Sequence, residues 1–151
     1  MLSSDASLLC RVRDYWCALP LVHAGETMRP LPIEPLAGMP LFVRGLSVIR
    51  GVPTPVVDAG VLLGASDLTE GGRFVTIRTG DRRVALAVDA VVGVRELPGG
   101  LGDLPPLVRE ASAEIISAVG ALDAELLIVL GAARLLPEAV WRMLSEREAS
   151  P

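Results

Sequence analysis

Aromatic residues are almost missing from this sequence: two Phe, two Trp and one Tyr, 3% of 151 residues, while 51% of the chain is apolar. A core must therefore be aliphatic, built from Val, Leu, Ile and Ala. That favours a tightly packed β-rich or α/β globule and argues against disorder. A basic cluster is lacking as well. With a net charge of −4 the chain makes a poor partner for nucleic acid or for an anionic membrane surface. Long hydrophobic runs are absent too. The longest, Leu126 to Ala133, falls far short of the ~20 residues that span a bilayer. No signal-peptide pattern opens the sequence, so a cytoplasmic location without direct membrane insertion is expected.

Histidine and cysteine set the next limit. His23 is the single histidine, and Cys10 and Cys17 are the two cysteines, which falls short of an ordinary zinc ligand set. The cysteines lie an odd number of residues apart and would face opposite sides of one continuous strand. The expectation is buried or half-buried reduced thiols and no local disulfide. Gly71-Gly72 and Gly99-Gly100 lack the following Lys-Ser/Thr, or the strand-to-helix context, of a phosphate cradle. No cofactor or metal is expected.

Proline, glycine and β-branched residues are present in quantity, and they punctuate the chain. After a frayed start at residues 1–7, Leu8 to Val12 and Trp16 to Val22 read as strands about a turn at Arg13-Asp14. His23 to Met28 reads as a short irregular segment. Prolines 30, 32, 35 and 40 make Arg29 to Pro40 an extended connector. The most informative stretch is Phe42 to Gly64. Gly45 has no Cβ, so another backbone or a partner helix can come close there. Arg50 is the lone charge in an apolar run, and Gly51 reads as a turn. Val52 to Val57 reads as a strand whose Pro53 and Pro55 aim at the same side, which predicts a sheet edge. Asp58 reads as the N-cap of a short helix through Val61, Leu62 and Leu63 that Gly64 ends.

A polar loop at 66–72 splits the chain. Phe74 to Thr79 and Arg83 to Val88 follow as strands around Gly80-Asp81, with Val84, Leu86 and Val88 on one face. Val91 to Arg95 continues the second strand after a bend near Asp89. Then come a Gly/Pro loop from Leu97 to Pro106 and helical propensity over Arg109 to Glu114. Strands over Ile115 to Leu122 and Leu126 to Leu130 flank a turn at Asp123-Ala124. A short helix is expected over Ala132 to Leu136. A terminal helix starts at Pro137, with Glu138 in its first turn and Val140, Trp141 and Leu144 as its packing face.

An internal repeat runs through this pattern. Val43-Arg44-Gly45 through Leu62-Leu63 lies over Ile116-Ser117-Ala118 through Leu135-Leu136, which sets Arg50 opposite Asp123. Ala18 to Leu21 likewise lies over Ala85 to Val88. Two similar halves of about five short strands follow, and neither would bury much core alone, so they should share one.

Candidate chemistry is sparse. Asp58-Ala59-Gly60 after an apolar strand has the look of an aspartic-protease loop, but a carboxylate dyad needs a second acid. The repeat puts Gly131 opposite Asp58, and Ala59 replaces the expected hydroxyl. Capping is the better reading of Asp58, and a hydrolase using Asp58 stands as the enzymatic alternative. Asp89 reads as a bend residue. His23 has no nucleophile in an activating motif and reads as structural. No catalytic residue is assigned.

Taken together, these residues resemble the CheW family of chemotaxis coupling proteins, from about Leu8 to Leu136. Leu19-Pro20-Leu21 through Glu26 and Arg29-Pro30 is similar to the family's Leu-Pro-Leu, variable, Val-x-Glu-Val, Arg-Pro segment. Pro35-Leu36 to Pro40 is similar to its Thr-Pro-Leu-Pro stretch. Phe42 to Gly45, Arg50-Gly51, Pro55 to Asp58 and Leu62 to Gly64 follow its most diagnostic pattern. Arg83 to Val91 and Leu126 to Leu136 resemble its remaining signatures. Val48, Ala24 and Pro53 depart from the family's asparagine, groove valine and strand residue.

The resemblance implies a mainly β fold: two five-stranded SH3-like β-barrel subdomains on one aliphatic core, with short helices and a C-terminal helix at 137–148, in a single domain. It implies a non-catalytic adaptor that couples the cytoplasmic tip of methyl-accepting chemotaxis receptors to the regulatory domain of the histidine kinase CheA. Such a protein is recruited from the cytoplasm to receptor arrays. Family receptor-contact positions fall on Gly45, Arg50, Ala24 and Glu26, with Asp58 and Gly64 as structural caps. A divergent member that binds receptors without coupling to the kinase is the alternative.

Overall fold

The computed structural model describes residues 6–68, 72–96, 116–122, 125–130 and 138–149. Among these described residues, ten strands and two helices run in the order β1 (Ala6–Val12), β2 (Tyr15–Pro20), β3 (Ala24–Met28), β4 (Val43–Ile49), β5 (Val52–Asp58), α1 (Ala59–Leu62), β6 (Arg73–Thr79), β7 (Arg82–Val88), β8 (Ala90–Glu96), β9 (Ile116–Leu122), β10 (Glu125–Leu130) and α2 (Glu138–Ala149). They form two five-stranded sheets, ordered β8-β1-β2-β10-β9 and β3-β6-β7-β5-β4. The mainly β, two-barrel architecture expected from the sequence is what the chain adopts.

The repeat sets strand on strand. Ala6–Val12 corresponds to Arg73–Thr79, and Val43–Ile49 to Ile116–Leu122. Replacing each strand by its counterpart converts one sheet order into the other. The sequence halves are nevertheless not the two sheets. Each sheet takes a hairpin from one half and its other three strands from the opposite half. Parallel joints stitch the halves together, β10 on β2 at Leu127↔Trp16 to Val129↔Ala18, and β5 on β7 at Val56↔Ala85 to Asp58↔Ala87.

The second sheet is buried on both faces, and the period of two sorts its side chains. Val57, Val75, Ile77, Val84, Leu86 and Val88 meet Leu8, Cys10, Val12, Cys17 and Leu19 of the first sheet in one cluster, which Val140 and Leu144 of α2 join. On the opposite face, Ile49, Val56, Phe74, Ala85 and Ala87 pack under Met28, Leu31 and Ile33. Phe74 leads the fully buried side chains in size, and its cross-strand partner is the small Ala87, so a large residue faces a small one.

Four sequence expectations need correction. His23 to Met28 is not irregular, because β3 pairs with β6 around a bulge between Ala24 and Thr27. Residues 6 and 7 belong to β1, not to a frayed end. Strand β8 does not extend β7 but crosses to the other sheet, where it pairs with β1. Strand β5 is interior, between β7 and β4. Its prolines are tolerated because of where pairing begins. Ile49↔Val52 closes a two-residue hairpin, so alternation turns residues 53 and 55 toward β7. The β5–β7 ladder starts only at Val56, beyond both missing donors.

Cys10 and Cys17 are buried free thiols, but they do not face opposite sides of one strand as their spacing suggested. The turn between them makes them direct cross-strand partners. Burial pushes both thiols up to about 12. Among the described residues, no helix is long and apolar enough to cross a membrane. The expectations for residues 97–106, 109–114, 123–124, 132–136 and Pro137 lie outside the described residues.

Candidate docking site

The connector between β3 and β4 builds one wall of the site. Residues 29–33 carry no ladder, and Glu34 forms a bridge to Leu46: Glu34 N donates to Leu46 O at 2.8 Å and Leu46 N to Glu34 O at 2.9 Å. Ser47 Oγ donates to Pro32 O at 2.7 Å. This route passes directly over Gly45, which sits at a bulge between Val43 and its next paired position and has φ +143°. A Cβ on Gly45 would stand 2.1 Å from Glu34 O and 2.9 Å from Ile33 Cγ2. The close approach that Gly45 permits is therefore to the protein's own connector. The open contact surface read from the sequence is not at Gly45, which is buried.

Arg50 stands on the far end of β4. Arg50 (φ 50°) and Gly51 (φ 77°) are both left-handed, which makes them the two central residues of a type I′ hairpin turn. Glycine and asparagine suit that conformation, and an arginine there holds ~1–3 kcal/mol of backbone strain. The turn projects the guanidinium toward β3, where its Nε donates to Glu26 Oε1 at 2.5 Å and Nη2 completes an ion pair with the same oxygen. Hydrogen bonding to Arg50 holds the Glu26 carboxyl below its usual range, opposed by desolvation and assisted by the charges of Arg50 and Arg83. The same bond raises Arg50.

Glu26 owes its position to the β3 bulge. Its amide donates to Thr76 Oγ1 at 2.8 Å, and Gly25 lies so close that a Cβ there would be 2.5 Å from that oxygen. His23 ties the start of β3 to β6: Arg78 N donates to His23 O at 2.9 Å and His23 Nδ1 lies 3.2 Å from Arg78 O. These bonds anchor the start of β3, and His23 itself lines the hollow beside Arg50.

The Glu26–Arg50 pair forms a ridge between two hollows. One, of about 430 Å³, is floored by Met28, Leu31 and Ile49. The other, of about 320 Å³, includes Ala24, Thr76, Arg78 and Arg83. The structure thus brings together three of the four predicted contact residues, Ala24, Glu26 and Arg50, and keeps Gly45 behind the wall. A larger hollow of about 620 Å³ lies on the other side of Arg78 and Arg83, between Pro53, Pro55 and Trp141 of α2. Arg78 and Arg83 escaped the sequence reading, although their equal spacing from the Gly80-Asp81 turn was visible.

Asp58 lies elsewhere and is fully buried. Its Oδ1 accepts from Val61 N at 3.1 Å as the cap of α1. Gly64 (φ +109°) ends that helix, with Gly64 N on Val61 O and Ala65 N on Gly60 O, the paired bonds of a Schellman stop. Asp58 and Gly64 thus bound α1, and the carboxylate that the protease alternative would use accepts a hydrogen bond at a helix terminus.

Comparison with known proteins agrees with this architecture. A family model described as CheW-like domain matches residues 6–140. The chain is 30% identical to protein FrzA of Myxococcus xanthus over 144 residues, 89% of this chain and 87% of that one. It is 27% identical to the chemotaxis protein CheW of Klebsiella aerogenes over 104 residues, covering 67% of this chain and 63% of its relative. The crystal structure of the scaffolding protein TtCheW from Thermoanaerobacter tengcongensis superposes with a TM-score of 0.72 at 17% identity, over 85% of this chain and 89% of that one, a likeness of fold. With strand order, repeat and matched residues in agreement, the chain belongs to the CheW-like domain family.

Proposed function

We propose that this chain is a non-catalytic adaptor joining the helical cytoplasmic tips of methyl-accepting chemotaxis receptors to the regulatory domain of the histidine kinase CheA. Family membership supports the scaffolding role. The observation that carries the receptor part is Arg50: a strained, left-handed arginine whose guanidinium is set by Glu26 on a ridge between two hollows. Strain retained at an exposed residue is a mark of function. A docked helix needs an apolar floor and a few polar groups to fix its register. Met28, Leu31 and Ile49 supply the first, and Arg50, Glu26 and the small Ala24 the second. Gly45 then acts from behind, letting the connector close over the wall. The protein works in the cytoplasm as a single domain and joins receptor arrays at the membrane through its partners.

The test is capture of the full chain by a receptor cytoplasmic fragment, wild type against Arg50→Asn. Asparagine suits the type I′ turn, so the fold is kept and only the guanidinium is lost. The expected result is an unchanged or slightly raised Tm with capture lost, whereas capture equal to wild type removes Arg50 from the interface. Titration with the isolated CheA regulatory domain addresses the kinase part. Receptor binding without kinase-domain binding would identify a member that has lost coupling.

A further inference from the structure

We propose that Arg78 and Arg83 form a second anchor in the cleft, and that the helix docking there presents to them two carboxylates one helical turn apart. The inference rests on the docking site proposed above and specifies the chemistry of its occupant.

Thr79↔Arg82 closes the two-residue hairpin at Gly80-Asp81, and Arg78↔Arg83 is the next pair. In a hairpin of this length that pair is not hydrogen-bonded, so the two side chains leave the same face from Cβ atoms about 4.5–5.5 Å apart. The donation of Arg78 N to His23 O, away from β7, fits that alternation. Like charges directly opposite each other destabilise a sheet. Among the described residues, no carboxylate forms an ion pair with either arginine. Both line the cleft that holds Arg50, where Glu26, already bound to Arg50, is the acidic residue. In that hollow three guanidinium groups face one carboxylate, and the larger hollow on the far side of the pair adds Asp81 together with Arg82, so an excess of positive charge remains in a protein whose net charge is −4.

An acidic partner relieves this imbalance. Residues three or four apart on a helix have Cβ atoms about 5–6 Å apart, which matches the span of the arginine pair. Each planar guanidinium can take one carboxylate in a two-pronged bond. A helix laid across the ridge would thus be read at two points, by Arg50 and by the Arg78–Arg83 pair.

The experiment is calorimetric titration of the full chain with a receptor cytoplasmic fragment at about 50 and about 300 mM salt, since screening weakens exposed pairs. Wild type is compared with Arg50→Asn and with the double variant Arg78→Ser/Arg83→Ser. The double variant should bind roughly tenfold more weakly at low salt, with the gap closing at high salt. Its Tm should not fall, because a like-charge pair has been removed. Fragments with successive i, i+4 acidic pairs changed to glutamine should include one to which wild type and double variant bind alike.

Binding by the double variant at wild-type strength at low salt, while Arg50→Asn fails to bind, overturns the acidic-pair inference and leaves the docking site standing. Loss in the double variant with Arg50→Asn unaffected keeps the acidic anchor and removes Arg50 from it. Inorganic phosphate alone binding wild type but not the double variant, with fragment binding equal in both, would make the pair a small-anion site and overturn the proposal.

Discussion

Replacing Gly45 by alanine tests whether its missing side chain serves the fold or a partner. Two costs follow from the geometry. At φ +143° an L-residue is strained by ~1–3 kcal/mol. The new Cβ would also fall 2.1 Å from a backbone oxygen, that of Glu34, which cannot rotate away. The connector must lift, weakening the reciprocal Glu34–Leu46 bonds, each with a net value of about 1 kcal/mol. Together these give a destabilisation of about 3–5 kcal/mol. For a domain of this size each kcal/mol moves Tm by roughly 2–4 °C, so the expected fall is about 6–20 °C by calorimetry, with a matching drop in the urea midpoint. Gly51→Ala is the control. Gly51 is also left-handed, at φ 77°, but has nothing within 4 Å of its Cβ position. Only the ~1–2 kcal/mol conformational cost applies there. Were Gly45 an open contact for a partner helix, Gly45→Ala would weaken receptor capture with a Tm change no larger than that of Gly51→Ala. That result would refute the reasoning.

Asp58→Ala should lose ~1–2 kcal/mol through the vacated α1 cap, while Asp58→Asn keeps an acceptor for Val61 N and most of the stability; equal Tm values for both variants and wild type would contradict the capping role. Cys10 and Cys17, with thiols pushed up to about 12, should resist a thiol reagent at pH 8 in the native protein and both react once urea unfolds it, because the thiolate is the reactive form. Fast labelling of the folded chain would place a thiol at the surface. Glu26 titrates below its unfolded value because of Arg50, so its contribution to stability is present above the ordinary carboxylate range and is lost as pH falls through the lowered value. The stability gap between wild type and Glu26→Gln should therefore close in acid, and a gap that widens on acidification would reverse the assignment.

Much of the fold was legible because it is written in local chemistry. Asp58 and Gly64 mark the ends of α1 through bonds that reach only a few residues. Arg13-Asp14, Arg50-Gly51 and Gly80-Asp81 mark hairpins through turn conformation. Val84, Leu86 and Val88 declare their face by alternation. Strand β3 was missed for the complementary reason. Its sequence, Ala-Gly-Glu-Thr-Met, carries no strand signal of its own, and it is held by pairing with β6 and by the bond from Glu26 N to Thr76 Oγ1. The site was half legible in the same way. Arg50 stood out as a lone charge, but nothing nearby in the chain announced that its partners would be Glu26, Arg78 and Arg83.

The amino-acid order alone thus determined the aliphatic core, the strand repeat and the caps, since each depends on composition or on neighbours a few residues away. Tertiary structure decided the rest. It traded strands between the halves, tolerated two prolines inside a sheet, set Cys10 against Cys17, and gathered arginines scattered over positions 50, 78 and 83 into one cleft. Those outcomes follow from pairings such as β3 with β6 and β5 with β7, whose partners lie far apart in the chain, so no local pattern carries them.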